Sequence, residues 1–184
     1  MINTIGSIVI LTNLVVFTAY IVYVLAKFGV PANLSITYYS FERARKGTGW
    51  LFPALMCFVC ATTLPMWIYT TFHVSHRAAV FGFLPIIVLV MLLAVAASGR
   101  YKKRPKLINF HYTCAIIAAA CAMTWMCLVC YRIAYVGFIC LLGFVLAGHF
   151  TNTLGKCTLF WLENAAFYSI FGSLFIVYTF AFPI

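Results

Sequence analysis

The sequence predicts an all-α, polytopic membrane protein of six transmembrane helices with both termini on the outer side. Three observations carry that prediction. The 184 residues are 66% hydrophobic and only 8% charged, whereas a soluble domain carries about a quarter charged residues. So few charges cannot keep a folded surface wet, and lipid must be the solvent for most of it. Six apolar runs each approach the roughly 20 residues a helix needs to cross the hydrocarbon core. Lastly, Lys and Arg fall unevenly among the short connections between these runs.

The first run, Ile5–Phe28, has no basic segment ahead of it and no small-residue cleavage site behind it, so it reads as a retained helix rather than a signal peptide. The second, Leu51–Phe72, and the third, Ala78–Ala97, hold Pro65 and Pro85, which predict kinks. The fourth, Ile108–Cys130, contains "CAIIAAACA", with Ala115 and Ala119, and Ala118 and Ala122, one turn apart. The fifth, Ile133–Phe150, is short and holds three glycines; the sixth, Phe160–Phe182, carries Ser169 and Ser173 in register. Lipid tails give helices no hydrophobic reason to associate, so small faces that let backbones approach must do so. That places the fourth and sixth spans at the bundle centre. Continuous apolar runs, rather than alternation, exclude a strand barrel. With no internal repeat and no long linker, residues 1–184 read as a single domain.

Orientation follows from the bases. Lys27, Arg43, Arg45 and Lys46 flank or fill the first connection, Arg100, Lys102, Lys103, Arg104 and Lys106 the third, and Lys156 the fifth. Only Arg77 and Arg132 lie on the opposite side. The positive-inside rule then puts the odd-numbered connections in the cytoplasm and both termini outside. Glu42 and Glu163 are the only acids, which leaves a net charge of +10. In a membrane protein such a balance points to anionic lipid headgroups as partners rather than nucleic acid. Most of the eight cysteines lie within apolar runs, where a thiol behaves as a small hydrophobe. They are expected to be free and mostly buried, and the two C-x-x-C pairs, Cys57–Cys60 and Cys127–Cys130, lack the accessible setting of a redox motif.

Polar residues gather at the cytoplasmic ends of several spans. His111 opens the fourth, His149 closes the fifth, Asn152 lies in "TNTLGKC", and Glu163 begins the sixth. A carboxylate within a span is expensive and is a functional hypothesis by default. It also has a structural reading, an ion pair with Lys156 or with a base of the third connection, or a favourable place in a first helical turn. His111, His149 and Glu163 have the residue types of a two-His-one-carboxylate metal site, though not the spacing of any motif. On the outer side His73 and His76 read as turn residues, and Asn13, inside the first span, as an interhelical hydrogen bonder. No phosphate-binding, dinucleotide or nucleophile-elbow signature is present, and no cofactor is implied.

The first connection, "GVPANLSITYYSFERARKGTGW", is the longest stretch that is not plainly apolar. Gly29 and Pro31 end the first helix. Asn33 or Ser35 can cap a short helix over about residues 35–46 lying in the interface. Ile36, Tyr39 and Phe41 would dip inward while Arg43, Arg45 and Lys46 meet headgroups. Such a helix could also act as a lid over the polar layer, offering Ser35, Tyr38 and Tyr39 to a ligand.

The segment "GVPANLSITYY" with its basic patch, then "GWLFPALM", "NFHY" and "AFYSI", resembles a family of small multi-span membrane proteins of gut Bacteroidota and their phages. The resemblance covers chiefly the first third of the chain. It implies an inner-membrane location and a role for the first connection, and it transfers no activity. The membrane hydrolases related to alkaline ceramidases hold zinc with histidines and Asp; this chain has no Asp and lacks their histidine spacing. The expectation is therefore a non-enzymatic, homo-oligomeric protein that binds or conducts a small ligand, lipid or ion. Its ligand-binding residues would be His111, His149, Glu163, Ser35, Tyr38, Tyr39 and Asn152. The alternative is a metal-dependent hydrolase acting on a lipid.

Overall fold

The computed structural model describes residues 2–74, 79–97, 105–129 and 131–180, and every regular element among them is helical. In chain order they are α1 (Ile2–Phe28), a single 3-10 turn (Leu34–Ile36), α2 (Thr37–Ala44), α3 (Leu51–Val74), α4 (Ala79–Ala97), α5 (Pro105–Val129), α6 (Tyr131–Phe150) and α7 (Leu154–Phe180). Helices suit this sequence because each pairs its backbone groups internally, which hydrocarbon demands. Five of them, α1, α3, α5, α6 and α7, are long and apolar enough to cross a membrane. In α4 the corresponding apolar stretch, Ala79–Leu93, is shorter. His76, Arg77, residues 100–104 and Cys130 lie outside the described residues, and with them much of the basic third connection.

The helix seams can be read from spacing. On α1 the buried positions are Ile10, Asn13, Phe17, Ile21 and Val24, steps of three and four that form one stripe of a helix. Leu11, Val15, Val16 and Val22, between them, are exposed on the outer face of the bundle. Phe17 packs among Phe167, Tyr168 and Phe171 of α7, with ring centroids 4.9–5.7 Å apart. Half of the most apolar stretch of α7 is buried, more than in any other of the five long helices. The expectation of a central sixth span thus agrees with the structure.

Several polar ties cross the apolar interior. Asn13 donates through Nδ2 to Thr63 Oγ1 at 3.0 Å and accepts from Thr62 Oγ1 at 2.8 Å, which joins α1 to α3. Trp125 Nε1 donates to Thr71 Oγ1 at 2.8 Å, joining α5 to α3. Tyr178 Oη donates to the Met66 carbonyl at 3.0 Å, joining α7 to α3. Ser173 Oγ donates to Met126 Sδ at 2.9 Å, joining α7 to α5, while Ser169 Oγ donates back to the Ala165 carbonyl in its own helix.

Two expectations need correction. The described cysteines are free, yet only Cys114 and Cys157 are buried; Cys57 and Cys127 are exposed and Cys60, Cys121 and Cys140 lie between. A thiol inside an apolar run can face lipid as readily as a neighbouring helix, and hydrophobicity alone does not choose. The alanine face of α5 also does not bring it tightly against its neighbours. Ala115, Ala118 and Ala119 are only part-buried and border open space.

Candidate functional site

Leaving α1, Gly29 adopts φ +71° and donates to the Leu25 carbonyl at 3.0 Å. This is a left-handed helix stop that favours glycine. The next residues are stretched across the starts of α5 and α7, and successive residues address opposite sides. The Val30 carbonyl accepts from Cys157 Sγ (3.4 Å), the Ala32 carbonyl from Phe160 N–H (3.2 Å), and the Leu34 N–H donates to Glu163 Oε2 (2.6 Å). These three belong to the α7 side. On the α5 side Asn33 Nδ2 reaches Tyr112 Oη at 3.5 Å, and Ser35 Oγ lies 3.0 Å from His111 Nε2.

Helix α7 is built to receive this strap. Its helical path breaks at Cys157, which has φ −124° and ψ 23°, and three residues on the Phe160 N–H donates across to the Ala32 carbonyl. Beyond the break, Glu163 lies at the junction and takes the strap's Leu34 amide. Among the described residues no ion pair reaches Glu163, and Lys156 is exposed without meeting it. The Lys156 salt bridge is therefore not what holds this carboxylate.

The strap ends in the 3-10 turn and α2. Asn33 caps the turn, its side-chain oxygen accepting from Ile36 N–H at 2.8 Å, as capping residues do. Thr37, fully buried, meets Tyr20 Oη at 2.5 Å. Phe41 is buried against Tyr20, Tyr23 and Phe28 of α1, while Arg43, Arg45 and Lys46 are exposed. The predicted helix over residues 35–46 is thus shorter, with its first turn tightened into the 3-10 turn. Phe41, expected to dip into the interface, packs against α1 instead.

Beneath the strap runs a cleft of about 390 Å³, within the range of ligand-binding cavities. Leu34, Ser35, His111 and Glu163 line its polar end, which we call its mouth; its walls come from α3, α4, α5, α6 and α7, with Trp67 and Met126 toward the other end. The fifteen-residue step along α5 from His111 to Met126 corresponds to a length of about 22 Å. Between the ends the lining is almost wholly apolar, with Leu89, Ala115, Ala119, Met123, Phe167 and Ile170 prominent. Trp67 Nε1 and Asn164 Oδ1 are buried without hydrogen-bond partners among the described residues.

The predicted site residues therefore divide. Ser35, His111 and Glu163 come together at the mouth. His149 is exposed at the end of α6, with its ring beside Phe150, and does not join them. Asn152 is exposed in the turn after α6, at φ 53°, a left-handed position that Asn tolerates. Tyr38 and Tyr39 are half-buried, stack edge to face on each other at 5.1 Å, and do not line the cleft. Sequence reasoning missed the Leu34 amide, a backbone contribution without a residue-type signal. It also missed Trp67 and the alanines of α5, whose stripe signals space as readily as close packing.

Chemically, the mouth offers a carboxylate, an imidazole and a hydroxyl. Ser35 and His111 are within the reach of a nucleophile–base pair. However, the Glu163 oxygen is committed to Leu34, and the N–H groups of Leu34, Ile36 and Thr37 flanking Ser35 are all engaged. No ready pair of donors is left there for an oxyanion. Among the described residues no three His, Cys, Asp or Glu side chains come together as a metal-binding group, so the two-His-one-carboxylate set is not assembled. No protein-family model, curated protein or solved structure matches this chain.

Proposed function

We propose that this chain is a six-span inner-membrane protein with both termini outside, and that it binds the tail of a single-chain lipid in the cleft beneath the first connection. α4 completes the sixth span, and the bases of the odd-numbered connections set the orientation. The observation that carries the reading is the cleft itself, lined almost wholly by apolar side chains along about 22 Å, with its one carboxylate, Glu163, at one end. A polar solute or hydrated ion would find no partners along that length, so the lipid reading is favoured over conduction. Exposed Lys27, Arg43, Arg45, Lys46, Lys106 and Lys156 surround the mouth end and support anchoring to anionic headgroups. Membership of the Bacteroidota and phage family belongs to the same proposal. The metal-dependent hydrolase has less support, because His149 lies apart from His111.

Native mass spectrometry on the protein extracted in mild detergent tests this. The expected spectrum contains a stoichiometric lipid adduct that Ala119→Phe, which fills the cleft, removes. Ragged adducts, unchanged in Ala119→Phe, would contradict it.

A further inference from the structure

The geometry points to a chemical class for the lipid head: a protonated amine, read by Glu163. This inference rests on the cleft being a tail-binding site and adds what stands at its mouth. In a bilayer, moving a hydrocarbon tail from lipid into an apolar cleft exchanges one apolar setting for another. The tail therefore contributes fit but little preference, and selection falls to the few polar groups at the entrance.

Those groups are unequal in what they offer. Glu163 Oε2 accepts one hydrogen bond, from the Leu34 amide at 2.6 Å. The carboxylate borders the cleft, and no Lys or Arg among the described residues pairs with it. A carboxylate can accept about four hydrogen bonds, and within a membrane it stays ionised only with a countercharge or further donors. Ser35 and His111 border the same opening and satisfy each other at 3.0 Å. Among the described residues the polar end of the cleft holds no cation that also donates hydrogen bonds to Glu163. A primary ammonium at the end of an alkyl chain supplies both, with the chain lying along Ala115, Ala119 and Met123. A carboxylate or phosphate head would instead bring a like charge to Glu163.

The tie between Glu163 and Leu34 gives this recognition a consequence. The same carboxylate holds the strap closed, so an ammonium that binds Glu163 sits directly against the segment covering it. The residue that reads the head is thus also the residue that fastens the lid.

The test is competitive binding to the full-length protein in detergent, followed by native mass spectrometry, with hexadecylamine, hexadecanol and hexadecanoate as probes. Charge-assisted hydrogen bonds are about twice as strong as neutral ones, so the amine is expected to bind about tenfold more tightly than the alcohol. Glu163→Gln keeps an acceptor for the Leu34 amide and should reduce the amine to the level of the alcohol. Glu163→Asp, which retains the charge, should keep a preference for the amine. Equal binding of all three probes, lost in Ala119→Phe but indifferent to Glu163→Gln, would sink the amine inference and leave the tail cleft standing. Preference for hexadecanoate would overturn the inference in the same way. Failure of every probe to bind in an Ala119-dependent manner would remove the cleft reading itself.

Discussion

A carboxamide in the middle of a lipid-crossing helix is costly unless both its donor and its acceptor are used. Asn13 uses both, toward Thr63 and Thr62, and is fully buried. Its role as an interhelical bonder was legible because an isolated Asn in an apolar run has few other ways to be satisfied. Its partners were not legible, since Thr62 and Thr63 offer hydroxyls on adjacent faces of one helix. Replacing Asn13 with Leu should destabilise the bundle by about 1 kcal/mol, the usual scale of such bonds in membranes. Thr62 would stay satisfied through its own helix, where it already donates to the Phe58 carbonyl at 2.7 Å. A denaturant titration in mixed micelles reads this directly, and an Asn13→Leu variant as stable as the parent would count against the tie.

At the scale of elements, the connection from α2 to α3 is organised around one carboxylate. Glu42 accepts from the Gly47 N–H at 2.9 Å and from the Gly49 N–H at 3.0 Å. Gly47 can take this place because its φ is +84°, where a side chain would be strained. The Gly47 and Gly49 amides, helped by nearby Lys46, hold the Glu42 carboxyl below its ordinary value of 4.5. A depressed folded pKa means the turn is stabilised above the unfolded value and loses that stability as pH falls through the folded one. Protection of the Gly47 and Gly49 amides, corrected for intrinsic exchange, should therefore decline as pH drops below about 4.5. In Glu42→Gln that step should vanish. An identical pH profile in parent and variant would show that the carboxylate does not organise the turn. The glycine turn was legible as a chain release before the third helix; the role of Glu42 was not, because its partners are backbone groups.

For the molecule as a whole, legibility follows the same division. Helix existence was readable from apolar run length, and the long helices fall where the runs predicted them. The starts were less so: α7 begins at Leu154 rather than Phe160, since Gly155, Lys156 and Thr158 break the apolar signal over a first turn that is set off from the rest of the helix by the kink at Cys157. The mouth was legible in part through Ser35, His111 and Glu163, polar residues misplaced in apolar surroundings. His149 and Asn152 share that polarity but face outward, and sequence position at a span end does not encode rotation about the helix axis. The cleft could not be read at all, because an alanine stripe is compatible with either contact or a gap.

The central claim is that this gap holds a lipid tail. It is tested most directly by photocrosslinking the protein, reconstituted in vesicles, with a mid-chain diazirine analogue of hexadecanol and mapping the adducts by peptide mass spectrometry. The account predicts adducts on the cleft walls, at Ala119 or Met123 of α5 and Ile170 of α7, suppressed by Ala119→Phe. Adducts confined to outward faces such as Val15 and Val22 of α1 or Ile139 and Leu142 of α6, and unaffected by that substitution, would contradict it.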